Sequence, residues 1–354
     1  MRRVRHLFML AVSCGALSAC GDSPSATDAG PSDAATERRV PPPLDEGGSA
    51  VTGPLHLADT GLYSDFASRT IAPGIIAYAP RYPFWSDGGG KTRWLLLPPN
   101  SKIDTTSMDD WVFPVGTKAW KEFAYGGVVV ETRMLWKVND TQWWEVAYAW
   151  NADHTDAVAA PDGVTDALGT GHEIPNQTDC NECHKEVSDV LIGVSALQLG
   201  ASDGDGTMTK LAGMGAFTTP PAAAYDVPGT GVTKDALGYL HANCGNCHSS
   251  RSSLKTQSVM RLNLSVTETT PEETAIYRTT PFVIMRHTMP PDIVYTLVPG
   301  QPDKSGLLIR MAMRDSWAMP PEGTAKVDPT GLGTVGDWIA SLPCGANCTA
   351  APAP

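Results

Sequence analysis

Two five-residue stretches carry the chemistry of this chain: Cys180-Asn181-Glu182-Cys183-His184 and Cys244-Gly245-Asn246-Cys247-His248. With 8 Cys and 8 His in 354 residues, roughly 0.004 occurrences of C-x-x-C-H are expected by chance, so two are not accidental. In this spacing the two thiols reach the two vinyl groups of one haem, and the adjoining imidazole presents Nε2 to the iron as proximal ligand. A zinc site needs four protein ligands, and each motif offers at most three. A thiol redox pair has no need of the following histidine. The expectation is two covalently bound haem c groups, on Cys180, Cys183 and His184 and on Cys244, Cys247 and His248.

The second motif is well framed. Leu237, Leu240 and Cys244 recur at helical spacing after Thr233, a candidate N-cap, so a short helix would deliver the motif. Downstream, Asp328-Pro329 reads as an N-cap and first helical residue, and Leu332, Val335, Trp338, Ile339 and Leu342 line one face of a helix that stops at Pro343. Over about 230–345 the sequence resembles a class I c-type cytochrome. The stretch Gln301 to Met311 followed by Met319-Pro320-Pro321 is similar to the helix and Met-Pro-Pro of many bacterial modules of that kind. The resemblance implies Met319 as sixth iron ligand, because the closing helix follows it. Met289-Pro290-Pro291 is the alternative. Either methionine, like Met285, Met311 and Met313, could instead be core packing.

The first motif has less around it. Only 64 residues separate Cys180 from Cys244, short of the roughly 80 that a separate cytochrome module would need, so the first haem must borrow walls from elsewhere. Val190 to Leu199 could supply a helix. Met208 and Met214 downstream, and His172 or His154 upstream, are the distal candidates. An open iron at this site would suit activation chemistry.

Eight of the 10 tryptophans lie between Trp85 and Trp150, in a pattern of period two. Val128, Val130, Met134, Trp136 and Val138 share one parity and Glu131, Arg133 and Lys137 the other, as in a half-buried strand. After the turn-forming Asn139-Asp140-Thr141, Trp144, Val146, Tyr148 and Trp150 alternate again, which predicts a hairpin. With strands at Thr92–Leu97 and Thr117–Tyr125, residues of about 75–160 read as an antiparallel β domain, a sandwich or partial barrel. The Trp-rich face reads as core ahead of a carbohydrate platform.

The N-terminus is basic, then apolar from Leu7 to Val12, too short to stay in a membrane as a span, and ends in Leu17-Ser18-Ala19-Cys20. This resembles a bacterial lipoprotein signal, which implies cleavage before Cys20, lipidation of its thiol and, with Gly21 following, the outer membrane. Residues 21–55 are rich in Ser, Ala, Pro, Gly and Asp and read as a disordered tether. The net charge of −12 excludes the basic footprint that nucleic acid requires. Cys344 and Cys348 remain, and in an oxidising periplasm they would close a small disulfide loop, with Gly345 permitting the turn.

Over roughly 75–345 the chain resembles a family of exported dihaem c-type cytochromes in which a Trp-rich β region precedes two C-x-x-C-H motifs. The resemblance rests on Tyr82-Pro83-Phe84-Trp85-Ser86-Asp87-Gly88, Trp111 to Thr117, Lys121-Glu122-Phe123, Glu131-Thr132-Arg133, Tyr148-Ala149-Trp150-Asn151 and both motifs. The expected fold class is multidomain α+β, an N-terminal antiparallel β domain followed by a mostly α-helical, cytochrome c-like haem region. The expected divisions are a signal peptide at 1–19, a tether at 20–55, the β domain at 56–165, the first haem segment at 166–225 and the class I-like domain at 226–348. The expected role is electron transfer in the cell envelope. Some relatives are joined to a propeller similar to quinone-dependent dehydrogenases, which implies a separate redox protein of that kind as donor. The alternatives are a peroxidase-like enzyme with an open first haem, or a ligand-binding β domain with accessory haems; no paired carboxylates, Ser-His-Asp set or phosphate loop supports another chemistry.

Overall fold

The computed structural model describes residues 52–200, 205–222, 224–289 and 293–344; the signal peptide, Cys20, nearly all of the tether and Cys348 lie outside them. The period-two segments form one six-stranded antiparallel meander in the order β3-β4-β5-β6-β7-β8. Its strands are β3 (Ile76–Ala77), β4 (Gly90–Leu96), β5 (Lys118–Tyr125), β6 (Val128–Lys137), β7 (Trp143–Trp150) and β8 (Ala157–Ala159). The expected hairpin at Asn139 joins β6 to β7, where the Asn139 side chain accepts from the Thr141 and Gln142 backbone N–H groups.

One face carries Trp94, Trp120, Met134, Trp144, Val146, Tyr148 and Trp150, all buried. It is covered by Leu57, Leu62 and Tyr63 and by the small hairpin of β1 (Tyr63–Asp65) and β2 (Thr70–Ile71). The expectation of a sandwich or barrel is therefore corrected: short segments of the preceding chain, and no second large sheet among the described residues, close this face. The tryptophans are core, and each large apolar side chain removed from water contributes ~1.5–3 kcal/mol.

The other face was expected in solvent and is not. Glu131 is 0% exposed and Lys137 1%. Strand β6 is buried on both sides because His172 covers Glu131 and Asp189 covers Lys137, while α1 (Gln177–His184) packs on the neighbouring β7. A bulge between Phe123 and Ala124 shifts the register, so Val130 joins Phe123 and Tyr125 in a different cluster from Met134. The parity read from Val128 through Val138 breaks at that point.

Beyond α1 the elements are short: α2 (Ala196–Leu199), α3 (Thr207–Gly213), α4 (Gly231–Asn243), α5 (Ala275–Thr279), the hairpin of β9 (Ile284–Met289) and β10 (Ile293–Tyr295), α6 (Gly306–Met311) and α7 (Pro329–Ser341). The helix expected over Val190–Leu199 is only α2, since Val190 has φ of 66°, outside the helical region. Helix α4 begins after Thr230, not at Thr233, and Thr230 makes no side-chain cap bond. Helix α7 starts as expected, the Asp328 carboxylate accepting from Thr330 N–H and Gly331 N–H with Pro329 next. Val335, Trp338 and Ile339 face α4 through Leu237 and Leu240 in one cluster.

All described residues belong to one compact unit. A second core joins Leu95, Ala119 and Leu135 of the sheet to Leu191, Leu199, Leu211 and Phe217. The α4–α7 core in turn includes Leu197 and is flanked by Tyr82.

Candidate haem sites

The first motif is a helix end. Asn176 caps α1, its side-chain oxygen accepting from Thr178 N–H and Asp179 N–H, so Cys180 and Cys183 lie one turn apart and His184 closes the helix. The Nδ1 of His184 is 2.6 Å from the Val190 carbonyl oxygen. A carbonyl accepts, so Nδ1 carries the proton and Nε2 is left with its lone pair, the form a metal ligand needs. The Val190 carbonyl is itself held by its neighbour: Asp189 takes Lys137 Nζ at 2.8 Å, Trp143 Nε1 at 2.9 Å and Phe113 N–H at 2.6 Å. That buried ion pair pins the chain after the motif to the ends of β6 and β7.

The second motif follows α4 as a turn, with His248 N–H donating to the Cys244 carbonyl and Leu262 N–H to the His248 carbonyl. Gly245 is required there, because a Cβ would stand 2.6 Å from the His241 carbonyl oxygen and 2.9 Å from Asn263 Cα. His248 Nδ1 is buried with no hydrogen-bond partner.

All four motif cysteines are free thiols. Burial pushes Cys180 and Cys244 up to about 12 and Cys247 to about 11, and raises Cys183 as well. A redox dithiol is marked by a depressed thiol; these are the reverse. Burial lowers His184 and His248 to about 4, so both rings are neutral at pH 7. Among the described residues no group of three or more His, Cys, Asp or Glu is placed to hold a metal ion.

One cavity is lined by Cys244 together with Met319, Met311, Tyr239 and Trp85. The structure thus brings Met319 to the second motif. Met285 packs against Gly306, its sulfur 2.1 Å from where a Cβ there would lie, and the Met289 side chain lies outside the described residues. The loop after Met319 is braced from the sheet side: Asp87 accepts from Thr324 Oγ1, Ala325 N–H and Lys326 N–H, and Trp85 Nε1 donates to the Lys326 carbonyl. Trp85 N–H also bonds Asn243 at the end of α4. Sequence reading marked Trp85 and Asp87 without finding this role.

The distal candidates for the first motif are placed differently. His172 Nε2 is bonded to Glu131 Oε1 at 2.8 Å and its ring stacks on Tyr125. Met208 is packed in the core with Leu191 and Val194, whereas Met214 is 59% exposed. His154 bonds the Val129 carbonyl and contacts Trp150, on the sheet face away from α1. The residues that do surround the first motif are charged. Arg133 and Glu131 act on Cys180, as does Glu145, which burial raises to about 7 and whose Oε2 has no partner.

The two motifs are neighbours. Cys183 is close enough to Cys247 to act on its thiol. Glu186, just past the first motif, accepts from Ser253 N–H and Ser253 Oγ, just past the second. Asp110 takes Ser188 Oγ at 2.9 Å and Arg251 Nη1 at 2.5 Å, one partner from each segment. A second cavity between these segments is lined by Glu186, Leu191, His241, Asn246, Ser249 and Arg251.

Cys344 is disulfide-bonded; its expected partner, Cys348, is outside the described residues. Among the described residues no helix is long and apolar enough to cross a membrane. Comparison with known proteins finds no family model that matches this chain, and no curated protein or solved structure that does.

Proposed function

We propose that the chain is a dihaem c-type cytochrome that carries electrons in the bacterial cell envelope, tethered by lipid on Cys20 and reduced by a separate oxidoreductase. The observation that carries this reading is His184: a neutral imidazole in a C-x-x-C-H turn, with Nδ1 spent on a backbone carbonyl and Nε2 free. The shared cavity of Cys244 and Met319 supports a second site at the other motif, although His248 Nδ1 there lacks the carbonyl partner that His184 has. The region of α4 and α7 is then a cytochrome c-like haem domain, and the Trp-rich sheet is the wall of the first haem site. When bound, haem c supplies a one-electron ferric–ferrous couple.

The chain's own part is to attach, orient and enclose. The four thiols would each add across a vinyl group, the S–H hydrogen passing to the adjacent carbon, with no net oxidation. His184 and His248 would be the proximal ligands. Met319 would be the distal ligand of the second haem, with Tyr239 and Trp85 excluding water. The neighbouring positions of Cys183 and Cys247 favour electron exchange between the two sites. The acidic charge balance favours a basic partner, by steering encounters; a quinone-dependent dehydrogenase is the donor class proposed.

A second reading, a peroxidase-like reaction at the first haem, is favoured by one observation: His172, Met208 and Met214 are respectively bonded, packed in core and exposed, so none is presented to His184. Haem counting by pyridine haemochrome on the matured full chain, with spectra with and without carbon monoxide, tests both readings. Two haems indifferent to carbon monoxide support electron transfer alone. Carbon monoxide binding to one haem brings peroxide turnover forward as the next assay. A chain that takes up no haem overturns both. Met319→Ala should abolish the far-red sulfur-to-iron band, and Met289→Ala should leave it.

A further inference from the structure

The sheet face that receives the first motif holds a row of cations. Arg93 on β4 lies directly opposite Lys121 on β5, and Lys121 directly opposite Arg133 on β6. Lys91, two residues before Arg93, points to the same face. Like charges directly opposite one another across a sheet repel and destabilise it, and a buried cation without a partner costs more still. Among the described residues only Arg133 of the row has a carboxylate partner: Glu131 takes Arg133 Nε at 2.9 Å and Arg133 Nη2 at 2.6 Å, and is shared with His172.

Arg93 is 7% exposed, yet among the described residues neither its guanidinium nor the Lys121 ammonium has an ion pair or hydrogen bond. Lys121 instead sits over the Phe123 ring at 4.9 Å, and Lys91 Nζ bonds only the Phe84 carbonyl. Burial, followed by Arg93, Lys91 and Arg133, holds Lys121 well below the ordinary lysine range. Such a row is stable in a folded protein when an anion lies on it.

The Arg133 end of the row lies beside the first motif. Arg133 acts on Cys180, Cys183 and His184, and Lys121 on Cys183 and His184. It is also open there: 24% of the Arg133 side chain remains accessible beside a fully enclosed Glu131.

We propose that Arg93, Lys121 and Arg133 form a carboxylate-binding site that holds the propionate groups of the haem attached at Cys180 and Cys183. This rests on the haem reading above and adds an orientation to it: the propionate edge of the first haem faces β4–β6. Planar guanidinium groups suit carboxylates in bidentate geometry, and the anionic edge would relieve the cross-strand repulsion that Glu131 alone leaves in place. A small free anion has the same chemistry, so the test separates the two.

The experiment is a redox titration and a resonance Raman spectrum of the matured full chain, in wild type and in Arg93→Gln/Lys121→Gln, with haem counted in each. The expected result is two haems per chain, an altered propionate bending mode, and a lowered midpoint for one haem only. Losing two cations should favour its ferric form about tenfold or more, which is ~59 mV for one electron. The charge-conserving Arg93→Lys/Lys121→Arg should stay within a few-fold of wild type. If the double neutral variant fails to mature, Lys121→Gln alone gives the same readouts at smaller amplitude.

Unchanged propionate modes with two haems present overturn the proposal and leave the haem reading standing. A saturable shift of one midpoint by inorganic phosphate in wild type, lost in the variant, also overturns it, since the site would then belong to a free anion. A wild-type chain that carries no haem at the first motif fails the underlying reading instead.

Discussion

Two single side chains near the first motif have measurable energetics. Asp189 is 8% exposed and Lys137 2% at their side chains, so Asp189→Ala strands a buried ammonium and also frees the Trp143 indole and Phe113 N–H. Breaking a buried pair on one side costs ~3–5 kcal/mol, and denaturant titration should show a loss of that size. The loss should come with a disturbed His184 signature, because Asp189 adjoins the carbonyl that orients that ring. Glu145 gives a pH dependence of opposite origin. Burial raises its carboxyl from the ordinary 4.5 to about 7, so the folded chain keeps a proton that the unfolded chain releases. Its contribution to stability is full below pH 4.5 and is lost as pH rises through about 7. The span corresponds to about 3 kcal/mol. Glu145→Gln should flatten that part of the profile between pH 5 and pH 8; an unchanged slope would place the titration elsewhere.

At the scale of elements, α4 and α7 meet at glycine. A Cβ on Gly331 would stand 2.1 Å from Tyr239 Cζ, whereas Gly333, two residues on and exposed, meets nothing within 4 Å. Alanine is worth up to ~1 kcal/mol over glycine in a helix, and overpacking costs ~1–3 kcal/mol. Gly333→Ala should therefore raise the thermal midpoint and Gly331→Ala lower it, and a rise for both would mean that the α4–α7 contact yields easily. Both helices were legible in the sequence, since amphipathic spacing and the Asp328-Pro329 start depend on neighbouring residues only. The same holds for β4 to β7 and the Asn139 hairpin. What covers each face was not legible. Glu131, Arg133 and Lys137 read as a solvent face because their partners, His172 and Asp189, are some 40 to 50 residues away. The cation row has the same cause: Arg93, Lys121 and Arg133 are spaced irregularly along the chain and become neighbours only through strand register, which a bulge beyond Phe123 alters. The two motifs were plain as spelling, but their proximity depends on Glu186, Ser253 and Asp110, whose polar side chains carry no pattern of their own.

For the whole molecule, these shared contacts decide how it should unfold. The sheet core continues into Leu191, Leu199, Leu211 and Phe217, and the α4–α7 core takes in Leu197 and is flanked by Tyr82. Asp87 and Trp85, from the sheet side, hold the loop that carries Met319. The sheet core and the α4–α7 core meet at Tyr225 and Val266, which pack against both, and the segment after the first motif is bonded to each side, Asp189 to Lys137 and Glu186 to Ser253. Cooperative units follow such shared cores more closely than they follow boundaries along the chain. Denaturant unfolding of the matured protein should therefore give one midpoint by tryptophan fluorescence, which reports the sheet, and, on the proposed dihaem reading, by the haem absorption band, which would report the motifs. Coincident transitions would mean that the sheet is a structural part of the redox unit, and that a fragment beginning near residue 226 loses stability as well as its first haem. Two separated midpoints would mean that the contacts from Tyr82 through Asp87 and the clamp of Glu186 on Ser253 contribute little, and that the sheet is an appended module with a task of its own.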